Sequence, residues 1–177
     1  MDNFKVGDIV VYPSHGVGTI TNEELQTISG MEMSLYVITF DKDKMTLKVP
    51  KSRAIKAGLR YLSNSKDLNN AIEILKSKPK VSRGMWSKRA QEYETKINSG
   101  NIDLVAEVLR DLHRNVDDPA RSYSERVIYE SALSRLSNEF AVAETIAIDE
   151  AAKKISNILN LAREIYSMIG NTTANAA

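Results

Sequence analysis

The sequence contains no cysteine, which excludes a disulfide framework, a thiolate zinc site, an iron–sulfur cluster and a cysteine nucleophile. Its two histidines, His15 and His113, lie far apart and neither opens an H-E-x-x-H motif, so no histidine metal centre is expected. None of the eight glycines precedes a lysine, which removes the P-loop, and Gly16-x-Gly18 fails as a dinucleotide fingerprint because Thr21 stands where a third glycine is needed. A G-x-S-x-G elbow is also missing. Nothing local assembles a nucleophile with its base and an orienting group. The expectation is a non-enzyme with no catalytic residue, metal or cofactor; for scattered carboxylates such as Asp8, Glu23 and Asp41, surface solubility is the simpler role.

Long apolar runs are missing too. The longest are four residues, as at Ile9–Tyr12 and Phe140–Ala143, against roughly 20 needed to cross a bilayer. Asp2 and Asp8 stand where a secretory signal would need a basic and then an apolar stretch. A cytoplasmic protein without a membrane partner is expected.

What is present is an ordinary globular composition with an uneven charge. The chain has 177 residues, 42% of them apolar and 27% charged, enough for one sizeable domain or two small ones. The net charge of +1 conceals a segregation: residues 1–62 carry 8 basic and 7 acidic side chains, residues 63–100 carry 8 and 4, and residues 101–177 carry 8 and 12. Lys76, Lys78, Lys80, Arg83, Lys88 and Arg89 fall within 14 residues that hold no Asp or Glu. Such a patch attracts polyanions, although a solvated charged loop has the same composition. The only tryptophan, Trp86, lies inside it. Polar and basic neighbours surround this side chain, Gly84 loosens the backbone before it, and Ser87 is placed to cap a helix. An apolar blade flanked by cations suits the DNA minor groove; a lone tryptophan also suits a core. Both readings stay open on the residues alone.

The periodicity divides the chain in two. Residues 1–62 read as β structure: Ile9–Tyr12 is stopped by Pro13, His15–Gly18 is a turn, and Thr19–Thr21 resumes an extended pattern. Leu35–Phe40 is β-branched and aromatic, Asp41–Lys44 is a polar turn, and Met45–Val49 alternates with period two before Pro50. Four or five short strands predict a small twisted barrel too narrow to enclose a ligand. From residue 63 the period becomes helical. Leu68, Ile72 and Leu75 make one face, Asn98–Gly100 a stop, and Leu104, Val108, Leu109 and Leu112 the next face. Ser122 and Glu125 fit a capping box opening a long helix through Ile128, Leu133, Leu136, Phe140 and Ala143, and Ile155, Ile158, Leu159 and Ile165 supply a last one. The predicted fold is α+β with two domains, a β barrel over 1–62 and a compact all-α domain of about five helices over 63–170. Residues 171–177, small and polar, are expected to fray.

Seven ordered segments carry a resemblance: Phe4–Asp8 (FKVGD), Val10–Pro13 (VVYP), His15–Gly18 (HGVG), Lys44–Pro50 (KMTLKVP), Met85–Arg89 (MWSKR), Ile97–Gly100 (INSG) and Val105–Leu112 (VAEVLRDL). In order and spacing the chain resembles, over roughly residues 3–145, the CarD (CdnL-like) family of bacterial transcription regulators. The resemblance implies a Tudor-like N-terminal domain that binds the RNA polymerase β subunit and a helical domain that touches promoter DNA in the minor groove at the upstream edge of the transcription bubble. The implied activity is stabilisation of the open promoter complex, by a protein that is a monomer when bound to polymerase.

Carried over by position, Trp86 matches the family's minor-groove tryptophan, and Lys88 and Arg89 match its basic neighbours. Lys48 falls at a basic position used for polymerase contact. Gln26 replaces a second basic residue of some relatives, which shifts weight to backbone pairing along the strand that includes Ile28. Gln91 likewise replaces a base, leaving the phosphate-binding patch to lean on Lys80 and Arg83. One rival keeps the polymerase-binding barrel but has the helical domain recruit another protein, with Trp86 as core. A second, an aromatic cage of Tyr12, Tyr36 and Phe40, fits poorly, because their spacing is that of alternating core and surface positions.

Overall fold

A computed structural model describes residues 3–174. It divides into two compact units, one reaching Leu62 and including Asn98–Gly100, the other comprising Ser63–Ile97 and the chain from Asn101 onward.

The first unit is a single five-stranded antiparallel sheet of β1 (Ile9–Tyr12), β2 (Gly16–Ile28), β3 (Met31–Phe40), β4 (Met45–Pro50) and β5 (Arg60–Tyr61), in the order β4-β3-β2-β1-β5. Ser29 and Gly30 turn the β2–β3 hairpin with φ of 52° and 78°, the twist a two-residue hairpin loop requires. One face of the sheet buries Phe4, Val10, Ile20, Tyr36, Ile38 and Phe40. At Gly18 the backbone lies so close to this core that a Cβ would sit 2.8 Å from both Ile38 Cγ2 and Phe40 Cε1. The expected barrel is present only as an open sheet, with β4 and β5 as its outer strands. Pro50 ends β4 and the chain turns directly into the short helix α1 (Lys51–Ala54), whose Ala54, with Leu59, closes the core where further strand pairing would otherwise be needed.

The second unit holds five helices: α2 (Ser65–Lys76), α3 (Trp86–Asn98), α4 (Ile102–His113), α5 (Tyr123–Glu144) and α6 (Ile148–Ala174). Their core gathers Leu75, Val108, Leu109, Leu112, Leu136, Phe140 and Ile155, each 1% exposed or less. Asn64 and Asp67 form a full capping box on α2. The one expected at α5 is half formed. Ser122 Oγ accepts from Glu125 N at 3.1 Å, but the Glu125 carboxylate accepts from Asn115 Nδ2 at 3.3 Å instead of reaching back. Ser87 lies inside the first turn of α3 rather than at its cap, because the helix begins one residue earlier at Trp86. In α6, Ala151, Ile155, Leu159 and Ala162 are buried, whereas Ile165 is exposed, and the helix continues through Ala174 into the segment expected to fray. The last expected residues, 175–177, lie outside those described.

Candidate functional site

Two groups of predicted residues fall on separate units. On the sheet, Lys48 and Asn22 stand opposite the same residue, Val37, so Lys48 shares the β2 face that carries Glu24, Gln26 and Ile28. Glu24 brings the first two together: its Oε2 lies 2.8 Å from Lys48 Nζ and accepts from Gln26 Nε2 at 3.0 Å. The hydrogen bond from Lys48, then that from Gln26, holds the Glu24 carboxyl below its ordinary range. Ile28 ends β2, exposed and paired with Met31. Sequence reasoning missed Glu24, although its place two residues before Gln26 put both on one face of a strand.

The register explains how this strand is presented. β2 pairs with β3 as far as Ile28, but β1 covers only Gly16–Thr19 on the other side. The last bonds along that outer edge are at Ile20, which donates to Asp8 O and accepts from Gly7 N. Among the described residues no strand lies alongside the outer edge from Thr21 to Ile28. Glu23 N in this stretch donates to Asn22 Oδ1 at 2.8 Å; a strand edge that no neighbouring strand covers is a template for pairing.

On the helical unit, the basic segment is pinned before it reaches Trp86. Asp111, buried on α4, accepts from Lys80 N and from Arg110 Nε, each at 2.8 Å, and Arg110 Nη1 donates to Ser77 Oγ at 3.0 Å. The backbone at Lys80 is thereby fixed while its side chain is exposed. Gly84, with φ of 139°, takes a conformation that L side chains rarely adopt and turns the chain into α3.

Trp86 is half-buried at the head of α3. Its inner side packs on the helical core, with its ring 6.3 Å from that of Tyr93, and its indole N–H donates to Ser124 Oγ at 3.2 Å. The Arg89 guanidinium stands 5.4 Å from the Trp86 ring, a cation–π distance. Arg83 and Lys88 are exposed on either side. The ring is gripped from one side and open on the other. Met85, which precedes Trp86, and Tyr123, which precedes Ser124, are exposed, and no motif in the sequence marks that exposure. No helix of the described residues is long and apolar enough to span a membrane.

Comparison with known proteins gives these two sites a common setting. Residues 4–63 match the family model of the CarD-like/TRCF RID domain, and residues 70–156 match that of the CarD C-terminal domain. The chain is also 29% identical over 143 residues, 81% of its length and 94% of the relative's, to a Bacillus subtilis (strain 168) protein titled "Putative transcription factor YdeB". A polymerase-interacting sheet unit followed by a helical unit with a basic, tryptophan-bearing segment defines a transcription regulator. The chain belongs to the CarD family of such regulators.

Proposed function

We propose that the protein binds the RNA polymerase β subunit through its sheet unit and stabilises the open promoter complex through its helical unit, with Trp86 wedged into the minor groove at the upstream edge of the bubble. The observation that carries this reading is the half-open Trp86, gripped by Ser124 and the helical core within a 14-residue run of cations without acids. A wedge needs this combination, because a blade that yields on contact separates nothing. Lys80, Arg83, Lys88 and Arg89 take the flanking phosphates. Lys48, Gln26 and Ile28 line the polymerase-binding surface, and the bare outer edge of β2 accepts a partner strand by main-chain pairing.

The mechanism requires no catalysis. Polymerase melts the promoter, and the protein adds a contact available mainly in the melted, bent state, which shifts the equilibrium by that contact's differential energy. Unstacking a base step costs on the order of a few kcal/mol. At a bubble edge much of that distortion already exists, so the wedge chiefly opposes re-annealing. About 1.4 kcal/mol suffices to change the equilibrium tenfold. With few phosphate contacts, DNA binding by the isolated protein is weak; tethering by the sheet unit raises the local concentration.

The packing of Trp86 on the helical core also supports the rival in which this unit recruits another protein. The lifetime of the open complex formed by the cognate polymerase, with wild type, with Trp86→Ala and with no added protein, separates the two. Prolongation by wild type that the variant loses, with its circular dichroism unchanged, supports the wedge. Polymerase binding without any prolongation sinks it.

A further inference from the structure

Tyr123 opens α5 and is 82% exposed. The residue after it, Ser124, is the one that accepts the Trp86 indole N–H at 3.2 Å, so the phenol ring stands one residue from the group that grips the tryptophan. Arg126 and Val127, three and four positions on, share its helix face and are exposed. Met85, 77% exposed, precedes Trp86 on the other side. A singly exposed tyrosine needs no explanation. Here, however, the exposed Met85 and Tyr123 and the half-buried Trp86 lie at the heads of two helices joined by the Trp86–Ser124 hydrogen bond, with the exposed cations Lys88 two residues after Trp86 and Arg126 three after Tyr123. The acid between Tyr123 and Arg126, Glu125, is turned inward and buried. An aromatic ring flanked by cations suits unpaired nucleotides, whose bases stack on it whatever their identity while the cations meet the phosphates.

Resting on the promoter reading above, we propose that Tyr123 is a second stacking surface, taking the face of an unpaired base of promoter DNA at the bubble edge while Trp86 holds the junction. The ring does the work and Arg126 receives the adjoining phosphate. In this arrangement the site spans α3 and α5, and the Trp86–Ser124 hydrogen bond sets the spacing between its two aromatic faces.

The test uses the full chain with the cognate polymerase on a promoter carrying 2-aminopurine at successive positions along the upstream bubble edge. Open-complex lifetime and 2-aminopurine fluorescence are read for wild type, Tyr123→Ala, Tyr123→Phe and Trp86→Ala. Stacking on one aromatic side chain predicts that Tyr123→Ala shortens the lifetime roughly tenfold. It also brightens the probe at one position, while Tyr123→Phe retains both properties. If Tyr123→Ala matches wild type while Trp86→Ala shortens the lifetime, the second stacking surface is overturned and the wedge survives. Equal loss in Tyr123→Ala and Tyr123→Phe also overturns it, because the hydroxyl and not the ring would then be acting. If Trp86→Ala itself leaves the lifetime unchanged, the reading beneath the proposal falls.

Discussion

Removing one buried hydroxyl tests the interior of the helical unit. Tyr129 is 5% exposed, and its hydroxyl lies 2.7 Å from His113 Nδ1, while His113 Nε2 lies 2.7 Å from Asn160 Oδ1. The amide oxygen can only accept, so Nε2 carries the imidazole proton and the phenol donates to Nδ1. Burial pushes the Tyr129 hydroxyl up to about 12, against opposing effects of Arg121 and Arg163. Tyr129→Phe leaves a buried acceptor without its donor, which costs about 1–3 kcal/mol. The pH dependence is the sharper signature. A raised folded-state value gives stability that is complete below the unfolded value of 10 and lost as pH rises toward 12. At pH 11, midway between the two values, the wild type has therefore given up about half of this stability, on the order of 1 kcal/mol, and the phenylalanine variant none of it. Urea unfolding followed by far-ultraviolet circular dichroism at pH 8 and pH 11 should show the gap between the two proteins narrow by that amount. A gap that stays constant would mean that Tyr129 titrates alike folded and unfolded, and would refute the argument from burial.

At acid pH the partner ring governs. Burial lowers the His113 value below 6.5, with Arg163 and Arg121 acting in the same sense and Asn160 and Asp117 against it. The unfolded chain then binds the proton more readily, so stability falls as pH drops below about 6.5, by at most about 1.4 kcal/mol per pH unit. A His113→Gln variant should lose this part of the slope in urea titrations, and an unchanged slope would count against it. Gly18→Ala should destabilise the sheet unit by about 1–3 kcal/mol in thermal unfolding, since the new Cβ meets Ile38 and Phe40 at 2.8 Å; a neutral result would show that the core yields. Lys48→Ala should raise the Glu24 carboxyl toward its ordinary value, seen by NMR titration, and weaken polymerase binding with little change in melting temperature.

The parts legible in the sequence were those set by neighbours along the chain. Ile9–Tyr12 reads as a strand because an apolar run ends at a proline, and Met45–Val49 because apolar and polar residues alternate before Pro50; the structure buries Val49, leaves Lys48 exposed and carries the strand one residue further, through Pro50. The helical faces of α2 and α4 followed from their spacing, with Ala71 taking the fully buried place assigned to the half-buried Ile72. What escaped was set at long range. Asp111 reaches back to Lys80, and Glu139 accepts from Ser63 N at 3.0 Å across the helical unit; no periodicity announces such pairs. The Glu125 carboxylate abandoned the expected capping box because Asn115, a competing donor from another turn of the chain, lies within reach. At the candidate site, the run of cations and Trp86 were visible as composition, but the exposure of Tyr123 depended on how α5 meets α3.

The bare stretch of β2 has a consequence for the protein in solution without its partner. An edge open to one strand is open to any, including the same edge of another copy, so association should grow with concentration whenever polymerase is scarce. Charge is a weak guard. From Gly16 to Phe40 the hairpin holds Glu23, Glu24 and Glu32 and no lysine or arginine, but Lys48 and Lys51, from beyond β3, pair with Glu24 and Glu23. With those two carboxylates neutralised, little like-charge repulsion is left between two copies meeting edge to edge for salt to screen. Self-association should thus follow protein concentration and respond only slightly to added salt.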